Sequence, residues 1–456
     1  MPEPLSTPAP DGLPVPRRYL AISVLLLTLV LVVLDGAIAN VALPSIAASF
    51  GADPSSTVWV VSSYQIAVLI ALLPCGALGE MFGPRRVYLI GIFIFTAASV
   101  VCAFAPNLPA LVMGRFAQGL GGGALMALSS MNLRFAVPHR RLGTIIGINA
   151  MTVAISAAAG PAVAGAILSV ATWHWLFAIN IPLGLYALIS GGALAHTPGV
   201  KRPLHPAVLI ANTAMFILFF SGADRVATDP ATGALMIAGS VVGLVTSLRL
   251  ERNNPTPLIP TDLLAAPAFR VALTASTTCF VAQMLSYIAL PFYLHYELSM
   301  PPAQIGLYMM PWPVATTIVA PIAGRLAERV RTAWLCAFGG MLLSIGVLIA
   351  GLSPPDPKGT AFLIGAVIAG SGFGLFQTPN NRTLLLSAPK ARAGAAGATQ
   401  GTARLLGQSL GAIVMAIIFQ TVPVERAPTI ALVIAGALAA TSAMISFARV
   451  RLEKVE

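Results

Sequence analysis

The sequence predicts an all-α protein that crosses a membrane many times, and three observations carry that expectation. Of 456 residues, 57% are hydrophobic and only 9% are charged, whereas soluble domains run near 25% charged. The apolar residues gather into runs of the length a spanning helix needs, about 20 residues. Within those runs apolar and polar residues do not alternate, as they would along the strands of a membrane β-barrel. The 41 Gly and 36 Pro fit the same picture, because packed membrane helices tolerate both.

Taken in order, apolar runs fall at about 19–43, 57–79, 87–105, 108–131, 143–170 and 176–195, then at 207–223 and 231–248. Six more follow at about 271–294, 302–324, 333–351, 360–378, 394–420 and 429–448, which makes fourteen spans. The first run is too long for a signal peptide, contains an Asp and is followed by no small-residue cleavage site. Residues 1–18 read as a disordered tail, with six prolines in the first 16 positions. The organisation expected is a six-helix bundle over 19–195, two inserted helices with a linker over 196–265, a second six-helix bundle over 266–448 and a tail over 449–456. A short internal echo supports two halves: Gly76-x-Leu78-x-Glu80 ends the second run and Gly324-x-Leu326-x-Glu328 ends the tenth.

The net charge of +11 comes from basic residues in twos and threes between apolar runs, with no basic face or arm, so nucleic acid is excluded as a partner. If the N-terminus is cytoplasmic, 21 of the 26 Lys and Arg fall on cytoplasmic segments. That bias places both termini in the cytoplasm and the basic loops against anionic lipid of the bilayer. The four cysteines lie far apart with no metal or disulfide spacing. His139, His174, His196, His205 and His295 fall in loops or at helix ends with no second ligand nearby, so no metal site is expected.

An ionisable side chain inside a span is a functional candidate by default. Of the 15 acids, Asp35 alone falls deep within a run, and Arg115 lies at comparable depth in the fourth. Burial raises a carboxylate pKa while an arginine or bound cation lowers it, so such a carboxylate can exchange a proton for a cationic substrate. A static ion pair that holds helices together is the alternative. Intramembrane enzymes need paired acids or a Ser–His dyad, and one deep Asp with no deep His argues against an enzyme. Tyr64, Gln65, Asn149, Asn180, Gln283, Tyr287, Tyr308, Trp312, Phe373, Phe376 and Gln377 could line a cavity for an amphipathic, aromatic-containing organic molecule, or serve helix packing and the interfacial belt.

Several segments resemble the major facilitator superfamily, and in particular its fourteen-helix drug:proton antiporter branch. Leu34-Asp35-Gly36-Ala37-Ile38-Ala39-Asn40-Val41-Ala42-Leu43-Pro44 is similar to the branch's first-helix signature, with Ala37 where a hydroxyl is usual. Gly76, Glu80, Gly83, Arg85 and Arg86 resemble the loop motif after the second helix, although Met81 and Pro84 replace basic positions. Arg115-Phe116-Ala117-Gln118-Gly119 resembles the fourth-helix motif, and Gly160-Pro161-Ala162-Val163-Ala164-Gly165 the core of the antiporter motif. Trp173-His174-Trp175-Leu176-Phe177-Ala178-Ile179-Asn180-Ile181-Pro182-Leu183-Gly184 is the most branch-specific segment, with His174 in place of the usual Arg.

The resemblance implies a major facilitator fold of two six-helix bundles plus two additional helices. It assigns proton coupling to Asp35 and Arg115, substrate contacts to Asp35 and Asn40 among others, and conformational roles to the loop motif, to Gln118 and Gly119 of the fourth-helix motif, to Gly160, Pro161 and Gly165, and to Glu328. The expected function is proton-coupled export of lipophilic, cationic drugs, dyes or antiseptics across a bacterial inner membrane by alternating access. No cofactor is expected beyond the proton gradient, and a monomer suffices. The absence of further acids within the C-terminal spans favours monovalent cations or neutral drugs, with Asp224 and Glu297 as secondary candidates. A dedicated exporter of one metabolite or antibiotic, and a transport-inactive membrane sensor or scaffold, are the alternatives.

Overall fold

The computed structural model describes residues 12–138, 141–196, 206–226, 228–252, 261–353, 359–387 and 393–451, and among these there is no strand. The first half contains α1 (Arg17–Phe50), α2 (Pro54–Phe82), α3 (Pro84–Ala103), α4 (Leu108–Ala136), α5 (Leu142–Val170), α6 (His174–Ala178) and α7 (Asn180–Ser190). A helical pair, α8 (Pro206–Arg225) and α9 (Pro230–Leu250), follows, and a short α10 (Thr261–Leu264) lies in the linker. The second half contains α11 (Pro267–Tyr296), α12 (Pro302–Met309), α13 (Pro311–Leu326), α14 (Thr332–Leu352), α15 (Thr360–Leu386), α16 (Ala393–Thr421) and α17 (Ala427–Ala448).

Thirteen helices among the described residues are long and apolar enough to cross a membrane. The fourteenth expected span corresponds to α4, which is continuous over 29 residues but is not among the thirteen. Arg115, Gln118 and the glycines at 119 and 121–123 dilute its apolarity. Two expected spans are each interrupted. The sixth breaks between Ala178 and Asn180, where the Pro182 ring meets the carbonyl four residues back, at Ala178. The tenth breaks at Met310, where Pro311 and Pro313 act on Leu307 and Met309 in the same way.

Lipid does not drive helices together, so close packing depends on small residues. A Cβ on Gly121 of α4 would sit 2.6 Å from the Phe95 backbone nitrogen of α3, and one on Gly119 would sit 2.8 Å from Ala67 Cβ of α2. The second half repeats the device: Cβ atoms on Gly365 and Gly372 would lie 2.6 Å from the Gly346 and Gly339 carbonyls. Gly83, between α2 and α3, has φ of +90°, a conformation that favours glycine.

The halves meet in one continuous apolar cluster. It joins Ile38–Ile46 of α1, Val58–Val61 of α2 and Ala164 of α5 to the outer part of α11 and to Met300, Ile305 and Met309. The molecule is therefore sealed at the end where α1 passes into α2, while residues 72–78 of α2, toward the other end, are only half-buried. Between the halves, α5 packs on α12, where a Cβ on Gly306 would meet Pro161 and lie 2.6 Å from Gly165 Cα. The α8–α9 pair is stitched by Gly222 and Gly233, and α8 rests on both α2 and α16.

The ends differ from the expected tails. Residues 12–16 lie against the end of α4, with Leu13 donating to the Ala136 carbonyl at 3.1 Å and Arg18 donating to the Leu13 carbonyl at 2.7 Å. At the other terminus Arg449 is fully buried and donates to Asn380 Oδ1 at 2.8 Å. A local pairing outweighs the polar composition in both cases. The first 11 residues and those after 451 lie outside the described residues.

A pair of glycine substitutions tests this packing. Gly121→Leu overpacks α3 against α4 and is expected to cost about 1–3 kcal/mol, lowering the thermal midpoint of the purified protein. Gly76→Ala meets nothing within 4 Å and is expected to leave the midpoint unchanged or raise it, because Ala is the better helix former.

Candidate functional site

Asp35 on α1 and Arg115 on α4, both fully buried, form a direct ion pair. The carboxylate has two further donors. Gln118 Nε2, one turn beyond Arg115, donates to Oδ1 at 3.0 Å, and Asn180 Nδ2, at the start of α7, donates to the same oxygen at 2.7 Å. The guanidinium is held from several sides. Its Nε donates to the Val60 carbonyl of α2 at 3.0 Å and its Nη1 to Gln118 Oε1 at 2.7 Å. The group lies over the Tyr64 ring at 4.2 Å and the Phe177 ring at 5.5 Å, both cation–π distances. Ser99 of α3 accepts from Gln118 Nε2 at 2.9 Å. Six helices of the first bundle, α1 to α4 with α6 and α7, therefore converge on one charge pair, in which Arg115 Nη2 is left without an acceptor.

The structure separates the candidate cavity residues into groups. Tyr64 and Asn180 belong to the ion pair, and Tyr64 donates to the Val32 carbonyl at 3.3 Å. Asn40 donates to the Gly36 carbonyl at 3.0 Å, one turn away on α1. Gln65 crosses to the second half, donating to Met284 Sδ at 3.4 Å. Tyr287 packs edge-on against Trp312 at 5.2 Å, and Phe280 against Phe373 at 5.6 Å, forming aromatic pairs between α11 and its neighbours. The side-chain oxygens of Gln65, Asn149 and Gln283 and the Trp312 indole nitrogen are buried without partners. Gln377 is half-buried one turn from Phe373.

Two more of the candidate residues are placed by their neighbours. Phe376 is buried against α14, where a Cβ on Gly339 would lie 2.7 Å from its backbone nitrogen. Tyr308 lies beside Gly359 and the Phe362 ring. The motif residues sit at helix contacts and turns. A Cβ on Gly160 would meet Ala37 of α1, so the small residue found where a hydroxyl is usual lies at the closest approach of α1 and α5. Glu80 near the end of α2, Arg86 in the first turn of α3 and Glu328 in the turn after α13 are exposed, with Arg85 half-buried. Ser99 and Phe177 were not singled out as site residues; an isolated serine in an apolar run carries no sequence signal of its own.

Among the described residues no cluster of three His, Cys, Asp or Glu could hold a metal. The chain is thus a two-bundle helical membrane protein with a fully buried carboxylate engaged by an arginine and two amides. Residues 25–412 match the description of the Major Facilitator Superfamily, and the chain belongs to that family. It is 42% identical to the uncharacterized transporter YebQ of Escherichia coli, over 96% of this chain and 97% of that one. It is 29% identical to the riboflavin transporter RibZ of Clostridioides difficile, over 87% of each. It is 28% identical to the multidrug resistance protein Stp of Mycobacterium tuberculosis, over 85% of this chain and 73% of that one. A peptide transporter solved in complex with alafosfalin shares the fold, with a TM-score of 0.72 over 94% of each chain at 17% identity.

The ion pair makes a thermodynamic prediction. Arg115→Met leaves a buried carboxylate without its cation and is expected to cost about 3–5 kcal/mol. The double change Asp35→Asn with Arg115→Met removes both charges and recovers much of that loss. Thermal melts in detergent check the ranking; equal midpoints for the single and double variants would show that charge pairing is not the source of the cost.

Proposed function

We propose that this transporter is a proton-coupled antiporter that exports lipophilic organic molecules, with drugs, dyes and antiseptics as the substrate class. In this reading it works in a bacterial inner membrane with both termini cytoplasmic, and a single chain supplies both bundles of an alternating-access unit. The observation that carries the reading is that Asp35 takes its donors from α4 and α7 at once. Protonation removes the charge that holds those helices to α1 and leaves Arg115 uncompensated. Loss of the proton restores the pair. A carboxylate in that position couples its own titration to the packing of the bundle, which is what an exchange cycle requires.

The names of the relatives support an organic substrate, since Stp is a multidrug resistance protein and RibZ a riboflavin transporter. The aromatic pairs on α11 offer flat apolar surface for such a molecule. A lipophilic cation, the class expected from the sequence, would reach Asp35 only after Arg115 and the amides withdraw. A proton gradient then supplies the energy with no cofactor.

Efflux of a fluorescent lipophilic dye from vesicles with an imposed pH gradient tests the reading. Wild-type protein is expected to move the dye only with the gradient, and Asp35→Asn to abolish gradient dependence. Gradient-driven efflux that survives Asp35→Asn would remove the coupling role from this carboxylate.

A further inference from the structure

Arg404, half-buried on α16, is a cation within a span that no carboxylate pairs among the described residues. Gly401 of α16 faces Leu72 of α2, and Gly407 and Gly411 press on the α11 backbone, with Cβ positions 2.6 Å from the Thr277 and Val281 carbonyls. Arg404 lies three residues from both Gly401 and Gly407. At about 100° per residue its side chain leaves the helix midway between the directions of α2 and α11. A further side of α16 is covered by α8, so Arg404 is directed into the seam between the two bundles and not toward lipid.

Among the described residues no carboxylate is placed to neutralise it. Its buried Nε has no acceptor, and no salt bridge reaches it among the described residues. Asp35 is already engaged by Arg115, Gln118 and Asn180. Asp224, on α8, is hydrogen-bonded by Trp59 and leaves its buried Oδ1 unpartnered, forming no salt bridge with Arg404. Phe280, whose Cβ lies 2.8 Å from the Gly407 Cβ position, packs edge-on against Phe373, so an aromatic wall stands within one helical turn of the free guanidinium. An arginine in such a place is stabilised by whatever anion enters the seam and repels a cation.

We propose that Arg404 receives the acidic group of the transported molecule, so that the cargo is an aromatic organic anion or zwitterion instead of a lipophilic cation held by Asp35. The inference rests on the proposed transport role and names its substrate class. Asp35 keeps the proton, Arg404 takes the substrate charge, and the two tasks fall to different bundles.

Rhodamine B, which carries a free carboxylate, and its ethyl ester, which lacks it, differ at the group in question. Binding of each to purified full-length protein is measured by fluorescence anisotropy for wild type, Arg404→Gln and Arg404→Lys. Wild type is expected to bind the acid more tightly than the ester. Arg404→Gln is expected to weaken the acid about tenfold or more while the ester gains affinity, and Arg404→Lys to retain part of the preference for the acid. Removing an uncompensated charge should leave the melting temperature of Arg404→Gln unchanged or higher, whereas a purely structural arginine would give a drop. Equal affinity of wild type for both dyes, an unaltered preference in Arg404→Gln, or binding of neither dye would overturn the assignment. Gradient-driven uptake into everted vesicles is read separately. Acid-selective binding without any gradient response overturns the antiport reading alone, and gradient-driven transport with no preference for the acid overturns the Arg404 assignment alone.

Discussion

Everything in the first bundle is arranged around one constraint: a carboxylate and a guanidinium that must stay together inside a medium hostile to either alone. Breaking such a pair costs several kcal/mol, so the surrounding groups are those that prevent it from opening unassisted. Val60 offers a carbonyl, Tyr64 and Phe177 offer ring faces, and Gln118 bridges the two charges by donating to one and accepting from the other. The glycines of α4 serve the same end. Cβ atoms on Gly119, Gly122 and Gly123 would crowd Tyr64, Val68 and Ala71 of α2, and only their absence lets α4 approach closely enough for Arg115 to reach the Val60 carbonyl. Small-residue packing and charge pairing are here one requirement seen from two sides.

The interruption between α6 and α7 belongs to the same arrangement. Pro182 ends the helical ladder at Ala178, and α7 restarts at Asn180 with its side chain on Asp35. The start of a helix carries partial positive charge, so the break places both an amide donor and a favourable dipole beside the carboxylate. Ile179 keeps helical dihedrals, so Phe177 and Asn180 stay on a helical stagger, one toward the arginine and the other toward the acid.

Asp35 and Arg115 were legible because a charge within an apolar run stands out against its surroundings. Gln118 was legible as a member of a family-like motif and Asn180 also as an amide within a span, but their contacts with the carboxylate were not readable. Ser99 gave no signal. Which side of its helix such a residue occupies stays hidden for a reason general to membrane helices. In water the polar face of a helix reveals its rotation. In lipid both the outer and inner faces are apolar, so sequence places a residue along the helix without fixing its direction around the axis. Span positions were accordingly readable to within a few residues, while the ends at Leu13 and Arg449 depended on single long-range bonds that composition does not encode.

The two halves share a scaffold and differ in what they bury. The Gly-x-Leu-x-Glu echo lies at equivalent helix ends, where Glu80 and Glu328 are both exposed, and glycine-to-carbonyl contacts tie α3 to α4 as they tie α14 to α15. Their interiors have no such likeness. The first bundle buries a cation with its anion. In the second, Arg449 donates to Asn380 Oδ1 and Cys336 Sγ near the bundle's end, with Asn380 in turn donating to the Ala272 carbonyl. If Asp35 exchanges a proton as proposed, the helices that lose its charge, α4 and α7, belong to a bundle that meets the second along the seams where α2 packs on α16 and α5 on α12.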